Sequence, residues 1–237
     1  MRKEPFTIGD FVHVYNRGNR NMPIVYDESD KWRFLKILRY FNDEYAPVQI
    51  FRQLTFVQKF DFCKPFEWPK DWPPHKPLVK ILTYHLAPNH FHLLLKEIIP
   101  GGVTKFMRKL GVGFTNYMNI KYQEIGKIFQ GSYKSRTIKD ERYLQYLDTY
   151  IQVLNPFELY PGGIEQAVKE FDKTFEFAMN YPFCSLSESF KKRKLFIVER
   201  DILSEVFPNI ELYKKFTYDA LLFRNTREIL GKLTIEA

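Results

Sequence analysis

Residues 9–16, Gly-Asp-Phe-Val-His-Val-Tyr-Asn, alternate in polarity and are rich in β-formers, and the turn signal Arg17-Gly18-Asn19 follows them, so a first strand is predicted there. Trp32, Phe34, Leu35, Leu38 and Phe41 recur at helical spacing behind Asp27 and Ser29, which predicts an amphipathic helix over 28–42. Residues 46–62 read as extended. The next stretch, 63–77, holds two tryptophans and prolines at 65, 69, 73, 74 and 77, an irregular excursion before strands at 78–85 and 90–96. Pro100-Gly101-Gly102 makes a turn, after which Thr104 can cap a helix running to about Tyr122. Residues 126–138 have strand character. Asp140 then caps a helix that Pro156 must end.

Strands joined by helical crossovers predict an α+β fold, a split βαβ sandwich of the ferredoxin-like or RRM-like kind with helices packed on an antiparallel sheet. Beyond Pro161-Gly162-Gly163 the pattern turns helical (164–180, 198–206, 210–232), interrupted at Tyr181-Pro182-Phe183. Two units are expected: residues 1–160, carrying the sheet, and a C-terminal helical extension over 161–237.

Composition narrows the function classes. Hydrophobic residues make up 45% of the 237 positions and aromatic ones 17%, which is globular and ring-rich, and no apolar run reaches membrane-span length. A soluble chain with no membrane partner is expected. The start, Met-Arg-Lys-Glu-Pro-Phe-Thr, has no apolar h-region, so the cytoplasm is the expected compartment. Cys63 and Cys184 lack CxxC spacing and read as ordinary residues of a reducing compartment.

The net charge of +8 favours a polyanionic partner. Basic residues stand among rings and small polar residues at Asn16-Arg17-Gly18-Asn19-Arg20, at Lys105-Phe106-Met107-Arg108-Lys109 and at Tyr133-Lys134-Ser135-Arg136. Cations for phosphates beside aromatic planes for unstacked bases suit a single strand of nucleic acid. A plain solvated surface is the competing explanation for each cluster, and the one preferred for Lys191-Lys192-Arg193-Lys194.

The most distinctive local pattern is Pro88-Asn89-His90-Phe91-His92-Leu93-Leu94-Leu95. On a strand His90 and His92 point one way while Phe91, Leu93 and Leu95 point the other, so the two imidazoles can share one divalent cation; a hydrogen-bonded histidine pair is the competing reading. In helix 140–154, at about 100° per residue, Tyr143, Tyr146, Leu147, Tyr150 and Leu154 form the stripe that faces the sheet. These tyrosines are either core rings or include one whose hydroxyl reaches the histidine face.

Taken together, His13-Val-Tyr-Asn-Arg-Gly18, Pro88 to Leu95, Phe129-Gln-Gly-Ser-Tyr-Lys134, Tyr143-Leu144 and Tyr150-Ile151 through Asn155-Pro156 resemble the IS200-like single-tyrosine transposases, and among them the REP-associated tyrosine transposases. The resemblance covers about residues 9–160, and Tyr181-Pro-Phe-Cys-Ser185 is similar to a stretch that often follows in that family. It implies a nuclease in which His90 and His92 hold Mg²⁺ or Mn²⁺ and Tyr150 attacks a DNA phosphate, giving a 5′-phosphotyrosine link and a free 3′-hydroxyl that can later rejoin strands. It implies a single-stranded, hairpin-forming DNA as partner, and either a monomer or a homodimer.

The family's Gln or Asn four residues after the tyrosine completes the metal site; here that position is Leu154, with Asn155 one further on, about 140° around a regular helix from Tyr150. A π-bulge ahead of Pro156 would bring Asn155 into place as the third ligand; otherwise water or another residue serves. Gln152 falls on the opposite face. His85, of opposite strand parity on the far side of Pro88, reads as structural, His13 as a core histidine and His75 as exposed. Asn16, Arg17, Arg20, Lys105, Arg108, Lys109, Lys134 and Arg136 are the candidates to line a single-strand groove.

Rival enzymes fit poorly. A histidine-triad hydrolase needs a third alternating histidine where Leu94 stands, a two-histidine phosphoesterase needs His-x-Ser/Thr twice, and an amidohydrolase needs histidines beyond His92, the last in the chain. The stronger alternative is a domesticated protein that keeps the fold and only binds hairpin DNA or RNA.

Overall fold

A computed structural model describes residues 5–45 and 65–222. The extended reading of 46–62 and Cys63 lie outside the described residues, and the final helix is described as far as Leu222.

The strands are β1 (Phe11–Arg17), β2 (Val79–Leu86), β3 (His90–Glu97) and β4 (Lys134–Ile138), hydrogen-bonded in the order β2-β3-β1-β4 with every neighbouring pair antiparallel. Helix α1 (Glu28–Tyr40) crosses from β1 to β2, and α2 (Gly102–Tyr122) from β3 to β4. This is the α+β, ferredoxin-like arrangement that the pattern predicts.

Two cores form because the strands alternate. Val12, Val14, Phe91, Leu93 and Leu95 bury one face of the sheet against Phe34, Leu38, Phe106 and Phe114 of α1 and α2. Leu82, Leu94 and Ile138 bury the other face against α3 (Glu141–Thr149), its continuation, and helices from the C-terminal part of the chain. Those are α4 (Gly163–Lys169), α5 (Phe171–Asn180), α6 (Leu186–Ser189), α7 (Leu203–Val206) and α8 (Ile210–Leu222). Phe183, Leu195 and Ile197 join the first core instead, so the C-terminal segment reaches both.

Local chemistry starts α1 and α3 at their expected places, whereas the helix expected over 198–206 forms only over Leu203–Val206. Asp27 accepts from the amide of Asp30 while Asp30 accepts back from Asp27, a reciprocal cap on α1. Asp140 caps α3 through the amide of Tyr143, 2.8 Å away. The cap of α2 differs from the Thr104 expected. Gly101 takes the left-handed conformation (φ 71°) and the buried Glu97 carboxylate accepts from the amides of Gly102 and Val103, so the helix begins a turn earlier.

Candidate active site

Residues paired directly across antiparallel strands project to the same face. Tyr15 pairs with His92, Arg17 with His90, His85 with His92, Arg136 with His13 and Lys134 with Tyr15. The histidine face therefore gathers side chains from all four strands. His85, read from parity as lying on the other face, stands beside His92, because the turn at Ala87–Asn89 restarts the alternation.

His92 is fully buried at the centre. Its Nδ1 lies 2.9 Å from His13 Nε2, and the two rings stack at 5.2 Å. His90 meets His92 edge to face at 5.3 Å and shares a 2.8 Å hydrogen bond between Nδ1 and Asn89 Oδ1. From above, the Tyr150 ring stands perpendicular to His92 at 5.3 Å, and Tyr150 is only 7% exposed.

Burial keeps these imidazoles neutral. It pushes His92 and His85 well below the usual histidine value, each helped by neighbouring histidines. It lowers His90 to about 4, with Arg17 adding to the effect, and His13 to about 3, with Arg136 adding. Neutral imidazole is the form that donates a lone pair to a metal.

The helix above the sheet changes pitch at the point that matters. After Thr149 it runs as a π-helix over Tyr150–Leu154 before one α-turn, Asn155–Glu158. Pro156 has no N–H for the carbonyl of Gln152, and that carbonyl accepts from Cys184 Sγ at 3.2 Å instead. In the widened turn the backbone N–H of Asn155 bonds the carbonyl of Tyr150, five residues back, and Asn155 Nδ2 bonds the same carbonyl at 3.0 Å. Asn155 Oδ1 receives no well-formed hydrogen bond, but the side chain lies close enough to His90 to favour that ring's protonated form. The extra residue is thereby absorbed, and Asn155 arrives beside the histidines.

Gln152 points the other way. Its Nε2 donates to Asp148 at 2.8 Å and to Tyr213, and its Oε1 accepts from Ser185 and Ser189. Asp148 is buried, faces Arg200 at 3.3 Å, and is pushed up to about 6 by burial. This network ties the tyrosine helix to the C-terminal helices.

Buried atoms without a hydrogen-bond partner concentrate here: His92 Nε2, both nitrogens of His85, His13 Nδ1, Arg17 Nε and Asn155 Oδ1. Two neutral imidazoles and a carboxamide oxygen suit a divalent cation as donors. Among the described residues, no three His, Cys, Asp or Glu side chains are arranged to hold one.

The basic candidates separate. Arg17 is close enough to depress both His90 and His92, while Arg136 lies over the Tyr143 ring at 4.9 Å with a guanidinium nitrogen 3.2 Å from its hydroxyl. Lys134 is exposed on the same face, and Arg20 is exposed just past β1 with φ 53°. Lys105 and Arg108 are exposed on α2, across the sheet. Lys109, by contrast, donates to the backbone carbonyls of Asp43 and Tyr45. Asn16 faces away from the histidines and straps β1 to the carbonyl of Gly131 at 3.0 Å.

Two other expectations change. His75 is half-buried, 4.5 Å from Trp68 and bonded to the carbonyl of Asn42, because the proline-rich excursion folds back on α1. Tyr146 leaves the stripe and packs on Phe216 of α8, since the C-terminal helices supply a second surface for α3. Sequence reasoning undervalued His13 and His85. The alternation of His13, Tyr15 and Arg17 on β1 was the available signal for the first; cross-strand register, which locates the second, is not written in the chain.

Residues 75–153 match the family described as "Transposase IS200 like". The matched stretch contains His90, His92 and Tyr150 and ends just before Asn155. A solved structure, described as a REP-associated tyrosine transposase bound to a REP hairpin, is similar at 15% identity with a TM-score of 0.45, covering 79% of this chain and 82% of its own. No curated protein matches. No described helix is long and apolar enough to cross a membrane.

Proposed function

We propose that this chain is a transposase that cuts and rejoins single-stranded, hairpin-forming DNA through a 5′-phosphotyrosine link on Tyr150. One observation carries the reading: Tyr150 stands edge-on to His92, at 5.3 Å, in the pocket that also holds His90 and Asn155.

A phenol, with an ordinary pKa of about 10, is a weak nucleophile at neutral pH, so the phosphate must be held and its charge offset. The π-turn and the Gln152 network fix the backbone that carries Tyr150. His90, His92 and Asn155 would hold a divalent cation, Mg²⁺ or Mn²⁺, which when bound supplies charge neutralisation at the phosphate. Arg17 can reach a non-bridging oxygen from the β1 side. Tyr150 Oη forms a bond to phosphorus, the bond from phosphorus to the 3′-oxygen breaks, the phenolic proton passes to water, and the departing 3′-oxygen takes a proton from water to leave as a hydroxyl. Rejoining reverses the exchange: a 3′-hydroxyl displaces Tyr150, and because one ester replaces another no ATP is consumed.

The test is incubation with end-labelled hairpin DNA bearing single-stranded flanks, with Mn²⁺ or Mg²⁺, read on denaturing gels beside Tyr150→Phe. A metal-dependent covalent adduct that disappears in Tyr150→Phe is expected. Binding without an adduct would instead assign the domesticated binding protein, and an adduct persisting in the variant would move the nucleophile elsewhere.

A further inference from the structure

On the face of the sheet away from the histidines, a cleft of about 530 Å³ opens between α2 and residues 127–133. That is within the range of sites that take small ligands. Its floor is apolar, with Phe91, Met107 and Phe129, and Tyr133 stands at its side. Arg108 and Lys127 line it, no Asp or Glu does, and neither cation has a carboxylate partner among the described residues. Apolar surface beside positive charge that has no carboxylate partner among the described residues is complementary to a base attached to a phosphate.

Glycines in the walls point the same way. Gly111 lies inside α2, where glycine is a poor helix former, yet a Cβ added to it would meet nothing within 4 Å. Two residues on, Gly113 is explained by packing, since its Cβ would run into the ring of Phe41. Gly131, across the cleft, is also open on its Cβ side. None of the described residues uses the space that Gly111 leaves.

The cleft and the histidine site are back to back around one end of the sheet. Asn16 pairs with Phe91 and both line the cleft, whereas the next pair, Arg17 and His90, points into the histidine site. We propose that this cleft holds an unpaired nucleotide of the single strand next to the cleavage site, its base on the Met107, Phe129 and Tyr133 surface and its phosphates at Arg108 and Lys127. The assignment rests on the strand-cutting reading of the histidine site.

The experiment uses the full chain carrying Tyr150→Phe, without metal, and hairpin oligonucleotides with 2-aminopurine at successive positions of the flanks. One flank position is expected to change its fluorescence on binding. Gly111→Phe fills the cleft at a helical position with room for it, so the protein should stay folded, lose that change, and bind the flanked hairpin about tenfold more weakly. Gly111→Ala should keep both. A folded Gly111→Phe protein with unchanged affinity and fluorescence overturns the cleft assignment, and if a Tyr150-dependent adduct still forms the strand-cutting reading stands without it. Displacement of the labelled flank by free deoxynucleoside monophosphate at comparable concentration would also overturn it, in favour of a free nucleotide. Absence of any adduct together with absence of flank binding overturns both.

Discussion

His13 Nε2 and His92 Nδ1 face each other at 2.9 Å in the buried middle of the sheet, a hydrogen bond whose donor is set by the tautomer of the two rings. With the proton on His92 Nδ1, the unpartnered Nε2 of His92 is left as a lone-pair donor. His13→Leu should therefore weaken Mn²⁺ binding about 10- to 100-fold, and His13→Gln, which keeps an acceptor, should recover most of it. Mn²⁺ titration followed by electron paramagnetic resonance measures this; wild-type affinity in His13→Leu would rule out the orienting role.

The π-turn gives Asn155 a separable contribution. Asn155→Leu loses the bond from Nδ2 to the Tyr150 carbonyl, worth about 1 kcal/mol of stability, together with the carboxamide oxygen. Adduct formation and Mn²⁺ affinity should both fall while hairpin affinity holds. Equal losses in hairpin binding would show that Asn155 acts on the fold alone.

Arg17 depresses His90 second only to burial. In Arg17→Ala the His90 imidazole should titrate above its present value of about 4 but still below an ordinary histidine, because burial remains. Nitrogen-15 NMR of the metal-free protein follows the ring directly. An unmoved His90 would place the guanidinium too far away to touch a phosphate at this site.

Asp148 should leave a signature in stability against pH. Its folded value, about 6, is raised above the ordinary 3.8, so the native state holds a proton that the unfolded chain has already released between those limits. This contribution is complete below about pH 4 and is lost as the pH rises through about 6, on the order of 3 kcal/mol in total. Chemical unfolding from pH 4 to 7 should show a fall in the wild type that Asp148→Asn lacks. Parallel curves would mean that Arg200 holds Asp148 ionised throughout. Removing the other partner, Arg200→Met, should cost about 3 kcal/mol near neutral pH by leaving the carboxylate buried and unpaired.

Much of this site was legible. The period of two put His90 and His92 on one face, the period of 3.6 turned Tyr150 toward the sheet, and Asp140 started its helix; each depends on neighbours within a few residues. Pro156 does not end that helix as expected, because the π-turn absorbs its missing N–H and one more α-turn follows, Asn155–Glu158. His85 was misassigned because parity does not survive a turn, and only the pairing of His85 with His92 shows which way it points. Tyr146 and His75 were misassigned because what covers them, Phe216 and Trp68 with Asn42, comes from separate elements.

The sequence by itself located the four strands, the helices that cross the sheet and the start of the tyrosine helix, and the residue types proposed for phosphate chemistry, because backbone sterics and hydrophobic periodicity act locally. Tertiary structure alone decided the place of Asn155. Pro156 supplies the missing N–H, a fact of sequence. The turn widens, however, where the Gln152 carbonyl finds Cys184 and its side chain finds Asp148, Ser185, Ser189 and Tyr213, partners from 4 to 61 residues away. A helix will give up its regular pitch when distant groups satisfy the polar atoms set free, and only the folded chain brings those groups together.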